Sequence, residues 1–313
     1  MTVKTERLIT LFGGGGFVGR YVAQALFKAG ARVRIAGREP RRAFFLKPLC
    51  GLGQIQFARA DIADPAAIAA AVHGADAVVN LVGILKGRFH QIHVEGARRV
   101  AEAAAAAGVP ALVHVSAIGA DPDSESDYGR SKGEGELAVR AAFPAATIVR
   151  PSIAFGPEDD FVNKFARMAR LLPVLPVIRG GWKVQPVYVA DLGKAIARAA
   201  LDPIPHAGRT YELGGPQVLT MAELNRWVCA AIGRDRPIVE IPDPLAKAMV
   251  RLTGWLPGAP MTWDQWLMLQ RDNVAAGPGF DSFDLPPAPL AAVAESWLSA
   301  YRRHGRFARA PAG

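Results

Sequence analysis

An apolar segment, Arg7-Leu8-Ile9-Thr10-Leu11-Phe12, runs directly into Gly13-Gly14-Gly15-Gly16-Phe17-Val18-Gly19, and a helical pattern follows from Arg20 to Ala29. Gly13, Gly16 and Gly19 stand three residues apart. Each has its own physical reason to lack a side chain. The first permits a tight turn out of a strand, the second lets a pyrophosphate reach the backbone, and the third lets the helix lie close on the sheet. The helix opening, with Phe17 and Val18, then offers free N–H groups and the positive end of its dipole to phosphates. A flexible glycine loop would need neither the strand before nor the helix after, so the arrangement predicts a nucleotide-binding fold.

The rest of the first half alternates in the same way. Arg32–Ala36, Ile55–Ala60, Ala77–Val82, Ala111–Val115 and Thr147–Arg150 read as strands. Asp64 caps a helix with Pro65 at its first position and Ala66–Val72 as its body, and Val94–Ala107 forms an alanine-rich helix stopped by Gly108 and Pro110. Apolar strands alternating with helices predict an α/β fold, a doubly wound parallel sheet of the Rossmann kind whose ligand sits beyond the carboxyl ends of the strands. After Pro151 prolines become frequent and the elements short. We expect a nucleotide-binding core over 1–155 with 183–215 returning to it, a smaller irregular lobe over 156–182 and 216–302, and a flexible basic tail over 303–313. Within the later segments Asp191 is expected to cap a helix over Leu192–Leu201, and Thr262-x-x-Gln265 is a capping box opening another. Trp255, Trp263 and Trp266 read as core, with an interfacial belt or partner-docking patch as the alternative.

The chain has 313 residues and a net charge of +9, with small basic clusters at 38–42 and 302–309. Neither cluster is interleaved with aromatics, so nucleic acid is not an expected partner. Cys50 and Cys229 are far apart, and His90 and His93 have no third ligand nearby, so no metal site is expected. No stretch has the length and apolarity of a membrane span, and the start lacks a signal peptide's apolar centre. A cytoplasmic location is expected, with a peripheral position at the inner face of the membrane compatible with the basic surface.

Several residues carry candidate chemistry. The second strand ends at Ala36-Gly37-Arg38-Glu39, with Arg41 and Arg42 beyond. A guanidinium at that place attracts a ribose 2′-phosphate, which favours NADP(H) over NAD(H); in the alternative, Glu39 holds the ribose and the arginines are solvated. Asp61 and Ile62, after the third strand, stand where adenine would lie, although a turn role for Asp61 is equally ordinary. Leu81-Val82-Gly83 would run along the ribose. Ser116 follows the fifth strand, and Tyr128 and Lys132 share one helix face four residues apart. A tyrosine hydroxyl titrates near pH ~10 in water and is a poor base, but a neighbouring ammonium favours the phenolate. Ser116 could polarise a substrate oxygen beside it.

Together, Gly13-x-x-Gly16-x-x-Gly19, Asp61-Ile62, Ser116 and Tyr128-x-x-x-Lys132 resemble the extended short-chain dehydrogenase/reductase superfamily. Arg150-Pro151-Ser152-Ile153-x-Phe155-Gly156 and Gln185-Pro186-Val187-Tyr188-Val189-x-Asp191 carry the likeness across roughly residues 5–215. The resemblance implies that Tyr128 and Lys132 are the catalytic pair, that Lys132 also grips the nicotinamide ribose, and that Pro151 and Ile153 line the nicotinamide. Phe12-Gly13, Gly19-Arg20-Tyr21-Val22, Ala142-Phe143-Pro144, Phe155-Gly156-Pro157-Glu158-Asp159 and Gly181-Trp182 also resemble an atypical branch, the Rossmann-type accessory subunits of respiratory complex I. That branch implies a tightly held NADPH used structurally, and complex I or the membrane surface as partner. The intact Ser116, Tyr128 and Lys132 point instead to an NAD(P)H-dependent reductase, epimerase or dehydratase with a small-molecule substrate, either a small carbonyl compound or a nucleotide sugar. His93 stands where many relatives carry asparagine, and Phe12 and Gly15 depart from the usual epimerase loop.

Overall fold

Seven apolar runs become the seven parallel strands of one sheet: β1 (Leu8–Phe12), β2 (Arg32–Gly37), β3 (Ile55–Arg59), β4 (Ala77–Asn80), β5 (Leu112–Val115), β6 (Thr147–Pro151) and β7 (Thr210–Leu213). Their order is β7-β6-β5-β4-β1-β2-β3, so the direction of winding reverses between β1 and β4. In this computed structural model the described residues are 7–256, 259, 261–277, 279–303 and 305. The strands read as nearly unbroken apolar runs because helices cover both faces, and Ile9, Leu11, Val33, Val78, Val79 and Val113 are fully enclosed.

The covering helices are α1 (Phe17–Lys28), α2 (Pro65–Val72), α3 (Ala97–Ala106), α4 (Asp127–Ala142) and α5 (Val189–Leu201). The Asp64 carboxylate accepts from the Ala66 and Ala67 amides at 3.0 and 3.2 Å, with Pro65 at the first helical position, as the sequence predicts for α2. Three expectations are corrected. α1 starts at Phe17 rather than Arg20, with Gly16 as its extended N-cap. The segment before α3 is a π-helical turn, His90–Gly96, rather than regular α-helix from Val94. Asp191 is the third residue of α5 and not its cap; its carboxylate takes Lys194 Nζ at 2.8 Å instead.

The chain divides into two units. The first holds the sheet and comprises 1–151, 189–213 and 275–286, so the last of these segments, read in the sequence as part of the smaller lobe, belongs with the sheet. Phe283 closes the core there: it is fully buried, stacks on His206 at 4.6 Å and meets Tyr211 at 4.7 Å between ring centroids.

The second unit comprises 152–188, 214–274 and 287–313. Its core gathers Phe155, Val162, Leu175, Leu224, Ile232 and Leu298. Short strand pairs stitch it, Leu175–Ile178 parallel to Ile238–Ile241 and Lys183–Val184 antiparallel to Leu219–Thr220. Capping boxes at Thr220/Glu223 and Thr262/Gln265 open two of its helices. A second small core forms around Ala246, Val250 and Trp266, with Trp263 half-buried against it. Trp255 departs from the core expectation and stands in solvent. Of the expected basic tail, all but residues 303 and 305 lies outside the described residues. No helix among the described residues is long and apolar enough to cross a membrane.

Candidate functional site

At the end of β1, Gly13 adopts φ +80° and its amide donates to the Ala36 carbonyl of β2 at 3.2 Å. A side chain there would be strained by the backbone and would press on the Leu81–Val82 peptide of the β4 end, 3.2 Å away. The Gly16 amide closes the turn by donating to Gly13 O at 3.0 Å. Gly19 faces the tightest approach: a Cβ would lie 2.4 Å from Gly13 O and 2.6 Å from Gly14 Cα. No side chain fits, so α1 rests directly on the turn and directs the opening amides of Phe17 and Val18 over the β1/β4 reversal.

Arg38 follows β2 and is exposed, and it has no hydrogen-bond or ion-pair partner among the described residues. Glu39, its rival for the ribose, is held by Arg42 at 2.9 Å. Asp61 makes a turn, accepting from the Ala63 amide at 3.0 Å, while Ile62 is buried in the core beneath Gly96. Leu81 donates its amide to Phe12 O at 2.9 Å, and Val82 donates to Asn80 Oδ1 at 3.1 Å. Gly83 lies against Lys132, whose Nζ would be 3.5 Å from a Cβ at that position. Pro151 ends β6, its carbonyl accepting from Ile118; Ile153 belongs to the second unit, where its amide donates to Asn273 Oδ1 at 3.2 Å.

The other half of the site is built on α4, which Ser126 caps by accepting from Gly129. Tyr128 and Lys132 follow on one face. Lys132 is buried and donates to the Val115 carbonyl at 3.1 Å. Burial pushes its pKa down to about 8, with the Glu136 carboxylate one turn on pulling the other way. Glu136 is itself buried and receives Arg150 through two bonds, 2.9 and 2.7 Å, and Arg150 reaches Glu212 at 3.4 Å. Glu212 also accepts from the Ala276 amide at 2.8 Å. A line of alternating charge thus runs from Lys132 through β6 and β7 to the 275–286 segment.

Two histidines complete this interior, and neither stood out in the sequence as a site residue. His93 Nε2 accepts from the Ile84 amide at 3.0 Å, so the ring proton belongs on Nδ1, which meets Ser131 Oγ at 2.9 Å. Ser131 in turn donates to the Tyr128 carbonyl. The ring stands edge-on to Tyr128 at 5.5 Å and stacks on Phe89 at 5.4 Å. Gly135 makes this possible, because a Cβ there would fall 2.2 Å from His93 O. Burial, reinforced by the Lys132 charge, pushes His93 down to about 3. His114, on β5, is driven to about 3 by the same causes. Its Nδ1 faces the Asn80 amide at 3.3 Å; because Asn80 Oδ1 already accepts from Val82, Asn80 is the donor and the His114 proton sits on Nε2. His114 Nε2 and Ser116 Oγ are both buried with no partner among the described residues. The signal that could have found His114 is plain: like Asn80 and Ser116, it is a polar residue in or ending an otherwise apolar strand.

A parallel sheet reversing beside a glycine turn, with a Tyr-x-x-x-Lys helix facing it, defines a dinucleotide-type Rossmann fold. Within that class, the model of the NAD dependent epimerase/dehydratase family matches residues 9–214, and the chain belongs to this family. It is 32% identical over 312 residues to the mitochondrial NADH-ubiquinone oxidoreductase 40 kDa subunit of Neurospora crassa, covering 97% of this chain and 82% of that one. It is 30% identical over 248 residues to a ceramide reductase of Caulobacter vibrioides, covering 78% and 76%. An NADPH-dependent quinone oxidoreductase of Escherichia coli, solved with NADPH, shares the fold with a TM-score of 0.71 at 21% identity, over 93% of this chain and 99% of that one.

Proposed function

We propose that this protein holds a nicotinamide dinucleotide along the β1–β5 end of its sheet, NADP(H) in preference to NAD(H), and keeps it as a tightly bound structural group. The observation that carries the preference is the pair Arg38 and Glu39: the arginine is uncommitted among the described residues while the carboxylate that could select a bare ribose is tied to Arg42. The residues fit such a group. Gly13 and Gly19 let the turn and the start of α1 close on each other's backbone, as a phosphate-binding turn requires, and Lys132 stands beside Gly83, where a ribose would pass. In this reading the protein is cytoplasmic, peripheral at the inner face of the membrane, and an accessory partner of a respiratory complex I. The likeness to the Neurospora crassa subunit over nearly the whole chain supports that assignment.

The test is to denature purified protein, identify the released nucleotide and measure its exchange beforehand. Stoichiometric NADPH that exchanges over hours supports the proposal, and empty or fast-exchanging protein overturns it.

A second reading rests on Ser116, whose buried hydroxyl is left without a partner among the described residues. Nicotinamide, when bound, supplies hydride-transfer chemistry. The chain's own residues would then work on a small carbonyl compound: Ser116 donates a hydrogen bond to its oxygen, Tyr128 delivers the proton, and the Lys132 charge stabilises the phenolate left behind. Tyr128→Phe separates the readings. It abolishes turnover if the site is an enzyme's and leaves nucleotide retention unchanged if the group is structural.

A further inference from the structure

Within the connection from β4 to the π-helical turn His90–Gly96, residues 84–89 form a loop whose two ends rest on one side chain. The Ile84 amide donates to His93 Nε2 at 3.0 Å, and the Phe89 ring stacks on the His93 ring at 5.4 Å with 22° between their planes. Between these feet Leu85, Lys86, Gly87 and Arg88 are all exposed, Leu85 at 68%. The backbone turns at Gly87, whose φ is +106° and whose carbonyl accepts from the Phe89 amide at 2.9 Å. A cleft of about 560 Å³ has Gly87, Arg88 and Phe89 on one wall and Asp127, Ser131 and Glu134 of α4 on the other. Four exposed residues are thus tethered through one ring, with open space beside them.

The anchor is fixed from behind, because His93 is buried and its other nitrogen is taken up by Ser131 at 2.9 Å. Burying an imidazole costs free energy that a simple connecting loop has no need to spend. The feet stand at the Tyr128/Lys132 end of the site. A Cβ at Gly83 would lie 3.5 Å from Lys132 Nζ and 3.8 Å from His93 Nε2, and Phe89 meets Tyr128 edge-on at 5.9 Å. A nucleotide whose ribose passes Gly83 and Lys132 therefore lies beside the first foot. The exposed residues suit what they would cover: Leu85 is apolar enough for a nicotinamide face, and Lys86 and Arg88 are cations for an anionic pyrophosphate. Arg88 makes only a long bond to Gln91, 3.4 Å, which is easily given up.

We propose that residues 84–89 are a strap that closes over the bound nicotinamide dinucleotide and sets how slowly it leaves, with His93 as the anchor of both ends. This rests on the nucleotide site proposed above and names what retains the group there.

Nucleotide release and limited proteolysis of the full chain test it. Protein loaded with NADPH and chased with excess NADP+ reports release as lost nucleotide fluorescence. Trypsin reports the strap directly, because Lys86 and Arg88 are cleavage sites within it. Bound NADPH should slow cleavage after these two residues on the order of tenfold. Phe89→Ala removes one foot, and His93→Phe removes the acceptor of the other while keeping a ring. Each should speed release on the order of tenfold and restore cleavage after Lys86 and Arg88 with NADPH bound, while cleavage elsewhere stays as in the unsubstituted protein. If His93→Phe does not fold, Phe89→Ala, at the half-buried end, carries the test. Unchanged release from the folded variants, or cleavage of the strap that ignores bound NADPH, overturns the proposal. Release within seconds from a chain whose strap saturating NADPH still protects counts against the tightly held cofactor alone. Slow release that neither variant alters counts against the strap alone, and no binding of NADPH at any concentration overturns both.

Discussion

Around the Gly13–Gly19 turn, recognition is prepared by atoms that are missing, whereas at the start of α4 it is prepared by charge and hydrogen bonds withdrawn from water. The turn needs no side chain at all: backbone amides do the work, and Gly13 and Gly19 are glycine because carbonyls and Cα atoms occupy the space. The α4 interior is the opposite. Lys132, Glu136, His93 and His114 are all buried; burial sets the direction for Lys132 and both histidines, the Glu136 carboxylate opposes it at Lys132, and the Lys132 charge reinforces it at the histidines. Steric preparation is rigid and pH-independent. Electrostatic preparation can be tuned, and it carries a stability cost that varies with pH.

Four variants sharpen that contrast. Gly19→Val should be the most damaging, because backbone atoms at 2.4–2.6 Å cannot yield cheaply; we expect a loss of about 3 kcal/mol or more in urea unfolding, and no retained nucleotide. A variant of ordinary stability would show that the turn is softer than its geometry. Glu136→Ala leaves Arg150 and Lys132 without their shared carboxylate and should cost about 2–3 kcal/mol, discounted because Arg150 keeps some access to water. Unchanged melting would mean that the charge line is not a structural device. Arg38→Ala should weaken NADPH by roughly 2 kcal/mol in calorimetric titration and leave NADH nearly untouched. Equal losses for both would remove the 2′-phosphate role.

Per pH unit, the smallest effect is the most specific to the α4 side. His93 is held neutral in the fold, with its pKa down at about 3, against an ordinary value of 6.5 in the unfolded chain. The unfolded state therefore binds more protons between those values, so stability is whole above about pH 6.5 and drains as pH falls. His93→Asn should make that acid slope shallower by about 1.4 kcal/mol per pH unit between roughly pH 4 and 6. An identical slope would mean His93 is solvated in solution.

The same contrast explains what could be read from the chain. The glycine turn, the Asp64 cap and the Thr262 capping box are local, their partners lying within a few residues, so spacing alone reveals them. Tyr128 and Lys132 were legible for the same reason, one helical turn apart. The His93 arrangement was not, because the ring is held by Ile84 on one side and by Ser131, 38 residues away, on the other. The 90–96 segment that carries it is a π-helical turn where periodicity suggests an ordinary helix start. Asp191 looks like a cap by its position, but Lys194 claims its carboxylate. Trp255 shows that an aromatic residue near two buried tryptophans need not share their surroundings.

The return of 275–286 to the sheet has a consequence for how the protein is made. All seven strands have been synthesised once residue 213 is reached, yet Phe283, which packs on His206 and Tyr211, and the Ala276 amide that Glu212 holds are still to come. On the ribosome, the β7 edge must wait while some sixty intervening residues of the other unit emerge. The sheet would therefore be finished late in translation, and stop codons placed between 214 and 274 would release chains with every strand present and that edge left bare.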